Sequence, residues 1–197
     1  MSFLRLAAGL ALLLAATLGG CATMPVSSML QLARTDLAST DPAQLRAAVK
    51  IPATLRLRPH GNTLRIGVRL RSGDEDTQEF ALQPVTDPSE QAALQAERDA
   101  RTYIAAYRID PAELPRLVAF RDRLKSRQQA TGGSGGAITI AVRPQACRAG
   151  ALPDGAILFT TYLRTQETSS YVPLARDIDL RSLFPSANVS TLIPPCE

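Results

Sequence analysis

Gly132-Gly133-Ser134-Gly135-Gly136 sets a serine in the G-x-S-x-G order of a nucleophile elbow, a strained turn that holds the hydroxyl clear for attack on a carbonyl. Such a serine needs a base, and the chain has one histidine, His60. His60 precedes Ser134, and the pattern around the serine reads helix, loop, strand, the reverse of an elbow. His60 therefore reads as a polar turn residue. The same glycines lack the Lys and Ser/Thr that complete a phosphate loop. Asp177 and Asp179, two apart, would face one way on a strand, as the paired acids of a glycosidase or a cation site must. Arg176 and Arg181 beside them point instead to an edge strand or turn laced with salt bridges. Asp74-Glu75-Asp76 reads as a solvated turn. Two cysteines, Cys147 and Cys196, and one histidine fall short of four zinc ligands. No catalytic residue, metal site or cofactor is assigned.

The remaining chemistry is cationic. Leu55-Arg56-Leu57-Arg58 and the run from Leu64 to Leu70 alternate apolar and basic residues on either side of His60-Gly61-Asn62, which predicts a β-hairpin. With period 2, Arg56 and Arg58 on one strand and Arg65, Arg69 and Arg71 on the other project from one side, opposite a Leu/Ile/Val row. Five guanidinium groups so placed would attract phosphate-bearing lipid head groups or an acidic partner protein. The plainer reading is a solvated sheet face, partly neutralised by Glu79.

Other elements must carry these residues. Asp41-Pro42-Ala43-Gln44 has an N-cap, a first-turn proline and Gln at the third position, predicting a short helix to about Val49 that Pro52 ends. A strand is expected at 77–85 and a helix at 89–100. For 101–109 both helix and strand are open, with Thr102-Tyr103-Ile104 and the stop at Asp110-Pro111 favouring a strand. Asp110-Pro111-Ala112-Glu113 opens a helix to about Gln129. A flexible loop at 131–136 leads to strands at 137–143, 156–165 and 171–174. No repeat is visible. Hairpin-spaced strands outnumber helical crossovers, which gives an α+β fold: one domain, largely antiparallel sheet, with two or three helices.

Hydrophobic content of 45% with 20% charged residues is that of a globular chain. A net charge of +4 over 197 residues is no nucleic-acid signature. Of the 22 basic residues only Lys50 and Lys125 are lysines.

The N-terminus adds a covalent possibility of another kind. Arg5 gives a positive start, 6–18 is an apolar run of Leu and Ala too short to span a bilayer, and Leu18-Gly19-Gly20-Cys21 follows. This resembles the signal and lipobox of the bacterial lipoprotein class, and no family resemblance extends to the folded part. The resemblance implies a diacylglyceryl thioether on Cys21, cleavage between Gly20 and Cys21, and acylation of the new amino group. Two or three chains anchor stably, each buried methylene contributing about 0.8 kcal/mol. Ala22, where a retention signal would place Asp, implies the outer membrane of a Gram-negative cell, on its periplasmic face. Residues 1–20 are then a signal peptide, 21–28 an acylated N-terminus with a short linker, and 29–197 a periplasmic domain. The linker reaches at most about 25 Å. Cys147 and Cys196 form an even pair in that oxidising compartment and read as a disulfide.

The expected function is a non-enzymatic binding or envelope-accessory module, held to the membrane by its lipid and meeting an envelope protein or an anionic lipid. A lipid carrier or assembly factor with an apolar cavity is the first alternative, and a periplasmic hydrolase using Ser134 or Asp177 the second.

Overall fold

The computed structural model describes residues 28, 40–70, 73–130, 136–186 and 188–197. The lipobox with Gly20 and Cys21, Arg71 and Ser134 lie outside the described residues. Nine strands form: β1 (Arg46–Pro52), β2 (Leu55–Leu57), β3 (Thr63–Leu70), β4 (Glu75–Pro84), β5 (Thr102–Ile109), β6 (Gly136–Arg143), β7 (Ala146–Arg148), β8 (Leu158–Arg164) and β9 (Val172–Asp179). Seven of them make one antiparallel sheet in the order β6-β3-β4-β5-β1-β8-β9, and β2 pairs with β7 in a second. Curvature brings β6 against β8, so the large sheet is nearly barrel-shaped. Among the described elements the α-helices are α1 (Pro88–Ala93), α2 (Leu114–Ala130), α3 (Leu180–Leu183) and α4 (Val189–Leu192), of which α2 is the longest. The architecture is α+β in the broad sense and mainly β, with four helices among the described residues rather than two or three.

The helix expected from Asp41 is the first correction. Asp41 does cap, accepting the Ala43 amide, but one 3-10 turn, Pro42–Gln44, is all that follows. From Arg46 the chain enters β1, the strand between β5 and β8. Ala47, Ala48, Val49 and Ile51 are buried. A single turn of helix would be marginal alone, whereas a strand with apolar residues on both faces can pair on both sides.

The hairpin expected around His60 is the second. β2 pairs with β7, Leu55 opposite Arg148 and Leu57 opposite Ala146, and is not paired with β3. Asn62 is the cause: fully buried, its side chain donates to the Arg58 carbonyl and accepts from the Gln145 amide. Gly61, at φ +86, supplies the left-handed turn before it. The chain is tied across to the second sheet instead of doubling back.

The helix expected at 89–100 is shorter. Asp87 caps α1 through the Ser89 amide and hydroxyl, and a 3-10 turn, Gln95–Glu97, follows Leu94. Leu94 is fully buried under this break. The strand reading of 101–109 and the capped helix after Asp110 match β5 and α2, with Asp110 accepting the Ala112 amide.

The main core fills the concave side of the sheet. Leu64, Phe80, Tyr107, Val142, Ile157 and Leu163 meet Leu117 and Phe120 of α2, and the Phe80 and Phe120 rings lie 6.1 Å apart. A smaller cluster, Ala48, Leu94, Ile104, Ala106 and Tyr162, covers the opposite side where α1 and its following turn lie over β5, β1 and β8. Cys147 on β7 and Cys196 form a disulfide with Cα atoms 4.9 Å apart. Beside it the tail is held to β7, the Arg148 amide donating to Pro194 and the Cys196 amide to Arg148.

Candidate functional site

Among the described residues the catalytic candidates do not converge. His60 is exposed in the turn after β2. Asp179 is occupied structurally: one oxygen accepts the amides of Ile157 and Arg181, capping α3, and the other accepts the Ser182 hydroxyl. Those donors, the Ile157 amide foremost, hold its carboxyl below the usual carboxylate range. Asp177 sits at φ +53 on the edge strand β9, its amide donating to Thr160 Oγ1 and its carboxylate accepting from the same hydroxyl. Neither aspartate makes an ion pair with Arg176 or Arg181, which corrects the salt-bridge reading: Arg176 reaches Glu97, and Arg181 donates to the carbonyls of Gly155 and Pro153. Among the described residues no group of His, Cys, Asp and Glu could hold a metal. Asp179→Ala is expected to lower stability by about 1–2 kcal/mol, the range for losing an N-cap. Urea denaturation of the variant checks it.

The four described arginines of the expected face, Arg56, Arg58, Arg65 and Arg69, are not brought onto one face either. Arg56 turns back onto the carbonyls of Ala53 and Leu55 and stands over the Tyr103 ring at 5.5 Å. Arg58 lies exposed in the loop beyond β2. Only Arg65 and Arg69 share the outward face of β3, either side of Gly67. Arg69 pairs with Glu75, while the Arg65 side chain has no hydrogen bond or ion pair among the described residues. The period-2 phasing was sound within β3; it failed between β2 and β3 because those strands are not neighbours.

Two cationic clusters missed by the sequence lie beneath α1. Arg46 and Arg164, directly opposite on β1 and β8, both clasp buried Glu90, at 3.0 and 2.8 Å. The Tyr171 hydroxyl donates to the same carboxylate. Seven residues on, Glu97 takes the Tyr162 hydroxyl at 2.6 Å and lies within 3.7 Å of Lys50 and 3.6 Å of Arg176. Each glutamate thus joins α1 or its turn to two cations and a tyrosine. No sequence signal shows this, because the register of β1 against β8 creates it.

Burial raises the hydroxyl pKa of Tyr107, Tyr162 and Tyr171, with Glu97 and Glu90 adding to the last two. The folded chain holds these protons after an unfolded tyrosine, with its ordinary value of about 10, has begun to release them. Their stabilisation is therefore complete below about pH 10 and declines as the pH rises beyond it. In a rapid titration at about pH 11, the native chain should show much less phenolate absorbance than the same chain in urea.

The concave side offers a groove. Leu117, Phe120 and Leu124 of α2 form one wall and Ile66, Val68 and Ile138 of β3 and β6 the other, around a volume of about 90 Å³. Arg121, Lys125 and Gln128 stand at its mouth. Arg121 Nε is buried without a hydrogen bond, 3.6 Å from Asp122, and its Nη1 reaches the Thr40 carbonyl at 3.4 Å. Lys125 has no polar partner among the described residues. The groove opens beside β6, the edge of the large sheet, where Ile138 is 54% exposed. Sequence reasoning placed Ile138 on a strand and Leu124 on a helix but could not bring them together.

No family model, curated protein or solved structure matches the chain.

Proposed function

We propose that the chain is a lipoprotein of the outer membrane, anchored through acylated Cys21, whose periplasmic domain is a non-enzymatic module that binds another envelope protein. The groove between α2 and β6 carries this reading: apolar walls, cations at the mouth and an open strand beside it are the parts of a peptide-binding surface. Its size favours a protein segment over a lipid as the ligand of this groove. Small-molecule sites enclose about 300–1,000 Å³, and the roughly 90 Å³ here suits one branched side chain better than an acyl chain.

Two measurements test the reading. Intact mass of the membrane-extracted protein should correspond to a chain beginning at Cys21 with added acyl mass, lost in Cys21→Ala, and fractionation should place it in the outer membrane. An unmodified chain overturns the anchor. Organic extracts of the Cys21→Ala protein should contain no stoichiometric lipid; fatty acid or phospholipid at one per chain would favour the carrier reading instead.

A further inference from the structure

The two edges of the large sheet are built differently. β9 is interrupted by register shifts opposite Phe159, Thr161 and Tyr162, contains Pro173, carries Arg176 and Asp177 and takes a left-handed residue at Asp177. These features block the addition of a further strand. β6 has none of them. Its eight residues pair with β3 without a shift, from Thr63 opposite Arg143 to Leu70 opposite Gly136. It contains no proline, and its one charge is terminal Arg143. No described strand pairs with its outer side, and Gly136, Ala137, Ile138 and Thr139 are all exposed. A sheet that guards one edge and leaves the other uninterrupted has, along the part of β6 not drawn against β8, a free template of backbone donors and acceptors.

The surroundings of β6 select what could use it. A strand added at about 4.8 Å from β6 would point alternate side chains past Ile138 toward the groove and the others over Ala137, Thr139 and Ala141. The second set of β6 residues is small, leaving a shallow trough beside Arg65 and Arg69. A cavity of about 150 Å³ holds a benzene, so the roughly 90 Å³ here holds one aliphatic side chain. Both flanks are cationic, and on each a cation makes no ion pair among the described residues: Lys125 at the groove and, on the opposite face, Arg65, whose cross-strand neighbour Glu79 pairs with Arg143 instead. A second copy of this chain would bring only Arg143 with its β6 and answer neither. We propose that β6 receives an extended acidic segment of a partner protein as an eighth strand, with one Leu, Ile or Val in the groove and carboxylates at Lys125 and Arg65.

This deepens the binding-module reading and rests on it. The probe is a displayed library of random twelve-residue peptides, selected on the full mature protein in detergent micelles. Selected peptides should be rich in Asp and Glu alternating with aliphatic residues, and hydrogen exchange should show their binding protects the amides of 136–143. Affinity should fall about tenfold or more in Lys125→Glu and in Arg65→Glu, since a like charge in place of an opposite one costs more than the 1.4 kcal/mol of a tenfold change. Arg176→Glu, at the guarded edge, should leave it unchanged. All three sites are on the surface, and circular dichroism of each variant verifies its fold. Peptides that bind while 136–143 stay unprotected would overturn the β6 proposal and leave a binding module with another surface. Protection of 136–143 by self-association alone would overturn it in favour of a dimer. Selection of no peptide at all would overturn both the proposal and the module reading.

Discussion

Cys196→Ser is expected to lower the unfolding free energy by roughly 4 kcal/mol, the chain-entropy value for opening a loop of about 50 residues. The cysteines are 49 apart in sequence. The loop they close contains β8, β9, α3 and α4, so the crosslink removes freedom from about a quarter of the unfolded chain. It also fixes an end that little else holds. Beyond buried Ile193, the tail is attached by the bond from the Arg148 amide to Pro194 and that from the Cys196 amide to Arg148. Urea denaturation of the wild type with and without dithiothreitol, beside the variant without it, measures the effect. Reduced wild type and variant should share one lowered midpoint. Equal midpoints for oxidised wild type and variant would mean that this bridge contributes nothing to stability.

Glu90→Ala is expected to cost about 3 kcal/mol or more, because removing one member of a buried ion cluster leaves the others charged and unanswered. The Glu90 side chain is 9% exposed, that of Arg46 16% and that of Arg164 23%. Two guanidinium groups would then face each other across β1 and β8 with only the Tyr171 hydroxyl between them. Glu75→Ala is the contrast, since the Arg69–Glu75 pair lies in solvent and should be worth less than about 1 kcal/mol. The triple change Glu90→Leu, Arg46→Met, Arg164→Met should recover most of the loss, as apolar replacements of buried ion clusters do. Chemical denaturation of the three proteins separates these outcomes. A Glu90→Ala chain as stable as wild type would show that α1 is docked by Leu94 and its neighbours alone.

What could be read in advance follows a physical divide. The period-2 pattern located β3, because one of its faces meets the core and the other meets water. The Asx-Pro cap located α2, where seventeen residues could continue the helix it began. The same signal at Asp41 misled, since capping is local and β1 is decided by partners 50 and more residues away. Alternation in 55–58 was real, but Asn62 chose its neighbour. The Glu90 and Glu97 clusters, and the groove, exist only once strand order is known: Arg46 meets Arg164 by register, and Ile138 is exposed because β6 happens to be last.

The place of β1 in the strand order also governs when the molecule can become a molecule. Among the earliest described segments, it is flanked by β5, with Arg46 opposite Arg108, and by β8, with Arg46 opposite Arg164. Closing such distant pairs is slow rather than costly, since loop entropy grows only logarithmically while rates fall steeply with sequence separation. A chain leaving any channel N-terminus first holds β1 with one side unsatisfied until residue 164 has emerged, and its Cys147 waits longer still, for the penultimate residue. Such a chain can pair β6, β3, β4, β5 and β1 by residue 143 but gains the far side of β1 and the disulfide only at the end.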